Sequence, residues 1–137
     1  MHKFTPEECR SGGWTRARQQ AQVRRDNPTQ AEAKAREAAL QLEGFEMEVE
    51  YEIHHPDGRP QFFDIALSKM GTLVAAIEVD GSHGWHGYNG RDDYGKMAAL
   101  DEMKSRWCSQ NGVQLIHLKV NGQSVSDILN ILQGELK

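Results

Sequence analysis

A chain of 137 residues, 38% hydrophobic and 26% charged, is sized for one globular domain with a proper core. Cys9 and Cys108 set up neither a disulfide framework nor a Cys-x-x-Cys pair, no apolar stretch approaches the roughly 20 residues of a bilayer span, and no signal-peptide pattern opens the chain. A cytoplasmic protein with no membrane partner is the expectation. The net charge of −4 disfavours a nucleic-acid binder taken whole, yet residues 1–27 hold six basic side chains against three acidic ones, a net of +3, so the remainder carries −7.

Thr5-Pro6-Glu7-Glu8 reads as a helix start, broken by Gly12-Gly13. Residues 14–25 read as a basic helix or as an arm ordered on binding, so residues 1–27 are set apart from a domain over 28–137. Thr29-x-x-Glu32 is a capping box, and Ala31, Ala35, Ala38 and Leu42 recur at helical spacing, predicting a helix over about 29–43 closed by Gly44. Residues 45–53 alternate, with Phe45, Met47, Val49, Tyr51 and Ile53 on one face and the glutamates at 46, 48, 50 and 52 on the other. Pro56-Asp57-Gly58 marks a turn. Strands follow over 61–68 and 72–80, joined by a turn near Met70. A loop over 81–91, a helix over about 92–111 whose Met97, Leu100, Met103, Lys104 and Trp107 form a stripe, a strand over 113–120 and a helix over 124–136 complete the chain. The fold class is therefore α/β: helix, three-strand meander, helix, strand, helix, a mixed sheet flanked by helices.

Side chains at i and i+2 of a strand share a face, so Glu78 and Asp80 project together from the end of the third strand. A turn centred near Met70 puts Asp64 roughly opposite Ala76 and makes Glu78 its diagonal neighbour, about 7–8 Å away. Like charges this close repel unless a cation lies between them, and an all-oxygen set suits Mg²⁺, Mn²⁺ or Ca²⁺ rather than zinc. Asp64, Glu78 and Asp80 are the candidate metal ligands. The bland alternatives are a solvated strand edge for Asp64 and a cap serving only its own helix for Glu32.

This order of elements, with an Asp on the second strand and Glu-x-Asp ending the third, resembles the restriction-endonuclease-like PD-(D/E)xK nuclease superfamily over residues about 28–120, and within it the very short patch repair endonucleases. The Thr-x-x-Glu helix start, which supplies an acidic active-site residue in those relatives, matches Glu32; their metal-binding Asp matches Asp64. Gly81-Ser82-His83-Gly84-Trp85-His86 resembles their Gly-Cys-Phe-Trp-His run with one residue inserted, and Asp93-x-x-Lys96 resembles a motif of other small relatives. Phe63 stands where the signature has Pro, and Asp80 where it has Lys.

The resemblance implies metal-dependent hydrolysis of DNA phosphodiesters, with Mg (or Mn) as cofactor and catalytic roles for Glu32, Asp64, Glu78, Asp80, His83, His86 and Lys96. His83, His86 or Lys96 would take the proton-transfer role left open at position 80. Arg16, Arg18, Arg24, Arg25 and Arg91 are candidate phosphate contacts, and Trp85 and Tyr88 candidate stacking partners for bases. A homodimer would be needed to cut both strands. The glutamate face of the first strand would repel DNA, which should approach from the loop side. A catalytically inactive DNA-binding protein of the same fold is the alternative, and a zinc protein using His83, His86, Cys108 and His117 a third.

Overall fold

The computed structural model describes residues 13–80 and 102–136. Helix α1 spans Gly13–Asp26 and α2 spans Gln30–Leu40; strands β1 (Glu46–His54), β2 (Pro60–Lys69) and β3 (Thr72–Asp80) follow. Residues 102–111 form helix α3, and β4 (Gln114–Lys119) and α4 (Val125–Glu135) end the chain. The sheet runs β1-β2-β3-β4, an antiparallel meander with β4 added parallel to β3. The protein is thus α/β with a mixed, open four-stranded sheet. The Thr5 helix start, the loop over 81–91 and the first turns of the helix expected from about 92 lie outside the described residues.

Local chemistry explains the boundaries. Thr29 and Glu32 close a reciprocal capping box on α2, and Ser124 and Asp127 do the same on α4. Met70 and Gly71 both hold positive φ, 53° and 81°, so β2 and β3 meet in the two-residue turn whose twist suits a hairpin. Arg36 of α2 donates to the carbonyls of Arg24 and Arg25, both at 3.0 Å, and so occupies acceptors that the last turn of α1 leaves open.

Two clusters cover the two faces of the sheet. Ala35, Ala38, Ala39 and Leu42 of α2 and its exit, with Ile128 and Leu132 of α4, pack on Ile65, Leu67, Ala75, Ile77, Ile116 and Leu118. The small side chains of α2 let the helix lie close to the strands, and each fully buried Leu or Ile contributes about 2 kcal/mol. On the other face Trp107 and Cys108 of α3 meet Ile53, Phe63 and Ala76; the Phe63 and Trp107 rings are tilted at a centroid separation of 5.7 Å.

The alternation expected along β1 does not run through. Phe45 and Met47 pack against the α2/α4 cluster, whereas Tyr51 and Ile53 join the α3 cluster. On β2, Ile65 and Leu67 go to the first and Phe63 to the second. The switch occurs at Glu50, whose φ of 49° lies in the left-handed region that a non-glycine residue rarely adopts. Register continues on either side, Val49 opposite Ile65 and Tyr51 opposite Phe63, but Glu50 and Asp64 do not pair between them. One residue of left-handed backbone turns the downstream half of β1 over. As a result Glu50 is buried, not solvent-facing as the pattern implied.

Candidate metal centre

The site lies where β2 and β3 part. A bulge at Leu67/Ser68 moves the register so that Ala66 pairs with Ala76 and Ile65 with Ile77. Continued one step, that register sets Asp64 opposite Glu78, not opposite Ala76 as the simple turn implied. The ladder stops there, while β3 goes on pairing with β4 as far as Asp80 and Lys119. Backbone groups in the gap still need partners. The Asp64 N–H donates to Glu78 Oε2 at 3.1 Å, and the Val79 N–H donates to Asp64 Oδ2 at 2.7 Å. Two carboxylates thus stand in for missing strand-to-strand bonds, which fixes both side chains at the fork.

Two further acids reach this place from other elements. Carboxylate oxygens of Glu32, Glu50 and Asp64 all lie within 4.8 Å of one another. Glu32 comes from the first turn of α2, where its Oε1 accepts from the Thr29 N–H at 2.9 Å; capping therefore engages one oxygen of a residue that also belongs to the cluster. Glu50 comes from the left-handed position in β1 and is 1% exposed. Its Oε1 accepts from Arg24 Nε at 2.7 Å, whereas Oε2 is buried with no hydrogen-bond partner among the described residues.

Electrostatics follow from this crowding. Asp64 is pushed up to about 7, first by burial and then by the charge of Glu78, against the lowering effects of the Val79 N–H and Lys104; Glu32 raises it further. Burial raises Glu50 as well, opposed by Arg24 and reinforced by the charges of Asp64 and Glu32. Protons or a cation must relieve the repulsion. Oxygen donors alone, one of them buried and unpaired, fit a hard divalent ion such as Mg²⁺ or Mn²⁺. Glu78 already has a cationic partner, because Lys104 Nζ of α3 donates to its Oε1. The same Nζ lies 5.6 Å from the centroid of the Phe63 ring, so packing holds it in place.

Of the three expected ligands, the structure brings two together. Asp64 and Glu78 meet as foreseen, but Asp80 is exposed at the far end of β3 and does not enter the cluster. Glu32 joins it. Sequence patterning missed Glu50, counted among four solvent-facing glutamates, and Lys104, taken as one position of a packing stripe. A lysine inside an otherwise apolar stripe was the available signal for Lys104. For Glu50 no local signal exists, since nothing in its neighbours announces left-handed backbone.

The arginines expected to clamp DNA turn inward. Arg18 grips Glu52 with two bonds of 2.9 and 2.7 Å, Arg24 holds Glu50, and Arg25 donates to the Glu50 carbonyl at 2.8 Å. Of the four named on this helix, Arg16 is exposed. The acid face is partly cancelled by the same contacts, with Glu46 and Glu48 left in solvent. Cys108 is buried among apolar side chains, and burial pushes its thiol up to about 11, which opposes the zinc alternative. His83, Trp85, His86, Tyr88, Arg91 and Lys96 lie outside the described residues. No described helix is long and apolar enough to cross a membrane. Comparison with protein-family models, with curated proteins and with solved structures finds no match to this chain.

Proposed function

We propose that this protein is a metal-dependent DNA endonuclease with a restriction-endonuclease-like fold. One observation carries the proposal: carboxylate oxygens of Glu32, Glu50 and Asp64 gather within 4.8 Å of one another where β2 and β3 diverge, and Glu78, itself held by Lys104, accepts from the Asp64 N–H beside them. A structural role alone would not need so many carboxylates in one half-buried place, because each raises the cost of ionising its neighbours.

Asp64, with Glu32 and Glu50, would hold the cation. Bound there, Mg²⁺ or Mn²⁺ would neutralise charge on a scissile phosphate and acidify an attacking water. Lys104 supplies at Glu78 the positive charge that the superfamily signature places at position 80, occupied here by Asp80. Its ammonium, fixed by Glu78 and Phe63, is suited to stabilising charge that grows on a phosphate during displacement. Proton transfer is assigned to His83, His86 or Lys96 from the sequence resemblance. DNA contact is assigned to Arg16 and Arg91 from their charge and to Trp85 and Tyr88 from their capacity to stack on bases, and cutting both strands would call for a homodimer.

The alternative, a DNA-binding protein that keeps the fold without catalysis, draws on the ion pair that already engages Glu78 and on the loss of lysine at position 80. Nicking of supercoiled plasmid in Mg²⁺ or Mn²⁺ separates the two. Cleavage that chelation abolishes, and that Asp64→Ala and Lys104→Ala each remove, supports the endonuclease. DNA binding with no metal-dependent cleavage by the wild type overturns it in favour of the alternative.

A further inference from the structure

The contact between Arg24 and Glu50 joins two parts of the molecule that need not have been joined. Helix α1 is tied to the second half of β1 by Arg18 on Glu52, by Arg25 on the Glu50 carbonyl and by Arg24 on the Glu50 carboxylate. Arg24 also lies over the Phe62 ring, 5.9 Å from its centroid, so its guanidinium is held on two sides. Only the Arg24 contact reaches a carboxylate of the acidic cluster. It uses Oε1 and leaves Oε2 buried without a hydrogen-bond partner among the described residues. A buried carboxylate oxygen with no donor is costly unless something positive meets it. Glu50 itself sits in strained backbone, a condition that persists only where surrounding contacts enforce it.

We propose that Arg24 is a positioning residue for the cation site, holding one oxygen of Glu50 so that the other is presented to a divalent cation shared with Glu32 and Asp64. Docking of α1 and occupancy of the site then stabilise each other, since each fixes the same carboxylate from opposite sides. The inference rests on reading the acidic cluster as a cation site. It goes beyond that reading by making the N-terminal helix part of the site's regulation: an event that lifts α1 from β1 weakens cation binding, and cation loss loosens α1. Thermodynamic reciprocity requires both directions to have the same magnitude.

The test is a calorimetric titration of the full chain with Mn²⁺ alone, accompanied by hydrogen exchange on the amides of residues 15–26. Partners that orient metal ligands are worth about ten- to a hundredfold in affinity, so Arg24→Met should weaken Mn²⁺ binding by about tenfold or more. Arg24→Lys should recover part of the loss. Arg18→Gln, which loosens α1 through Glu52 without touching the cluster, should lose less affinity than Arg24→Met. Mn²⁺ should slow exchange in α1 of the wild type and have less effect in Arg24→Met. Unchanged Mn²⁺ affinity in Arg24→Met overturns the inference, as does an equal loss in Arg18→Gln, which would mean that α1 matters only as packing. A wild type that fails to bind Mn²⁺ overturns the cation-site reading itself, and the positioning role falls with it.

Discussion

The two halves of β1 carry the same pattern and meet opposite fates. In Glu46-Met47-Glu48-Val49 the glutamates stand in solvent; in Glu50-Tyr51-Glu52-Ile53 they turn inward, Glu50 to the acidic cluster and Glu52 to Arg18 and His54. A period of two states only that neighbours face opposite ways, and one left-handed residue exchanges the faces for everything after it. Charge that is harmless on the upstream half becomes expensive on the downstream half, and that expense points to a site.

The largest contrast should appear in metal-dependent cleavage. Glu50→Gln removes a cluster oxygen's charge while retaining an acceptor for Arg24, and Asp64→Asn does likewise at the fork. Each should lower the rate of plasmid nicking at least about a hundredfold, the upper range for partners of metal ligands. Glu48→Gln, two residues upstream, should nick as the wild type does. Equal activity in Glu50→Gln and Glu48→Gln would erase the distinction between the halves.

Next comes the pH dependence of stability without metal. Folding raises Asp64 from 3.8 to about 7, so between those values the folded chain keeps a proton that the unfolded chain has released. Its contribution is therefore fully present below about pH 4 and is lost as pH rises through about 7, a decline on the order of 4 kcal/mol. Urea unfolding at several pH values checks the sign: Asp64→Asn should flatten the decline and be more stable than wild type at pH 8. A wild-type profile that rises over this range would show that Asp64 ionises unhindered. On the proposed cation-site reading, Mn²⁺ should bind more tightly as pH rises through about 7, because a proton on Asp64 no longer has to leave.

Much of the architecture was legible because its signals are local. The capping box at Thr29, the turn at Met70-Gly71 and the helical spacing of Ala35, Ala38 and Leu42 each specify a boundary or face from a few neighbours. Asp64 and Glu78 were legible together because two strands joined by a tight turn must bring them close. The rest was hidden by non-local causes. The Leu67/Ser68 bulge changed which residue Asp64 faces, the left-handed Glu50 reversed a strand face, and Lys104 reached Glu78 across 26 positions of sequence. Asp80 stands apart from the cluster for a related reason: β3 remains paired to β4 as far as Asp80, past the point where its ladder with β2 ends.

A third experiment addresses the backbone of β1 directly. Glycine ordinarily weakens a strand relative to alanine, by up to about 1 kcal/mol. At position 50 the order should invert, since a left-handed alanine carries strain of about 1 kcal/mol or more that glycine avoids. Glu50→Gly should thus unfold at a higher urea concentration than Glu50→Ala, whereas at position 48 alanine should be the more stable. The usual order at both positions would mean that β1 runs straight and that the face exchange is absent.

The smallest effects belong to the outer contacts of the downstream half. Glu52 accepts from Arg18 at 2.7 Å and meets His54 at 2.6 Å, but Arg18 is 40% exposed, and water already screens most of what the pair could contribute. Glu52→Gln should cost less than about 1 kcal/mol, the range of surface ion pairs. Glu48→Gln should stay within about 0.5 kcal/mol of wild type, as surface substitutions without partners do. Position 52 is informative because it shares a face with Glu50 but not the cluster. If Glu52→Gln leaves cleavage intact while Glu50→Gln abolishes it, inward orientation alone does not make a carboxylate functional; proximity to Glu32 and Asp64 does.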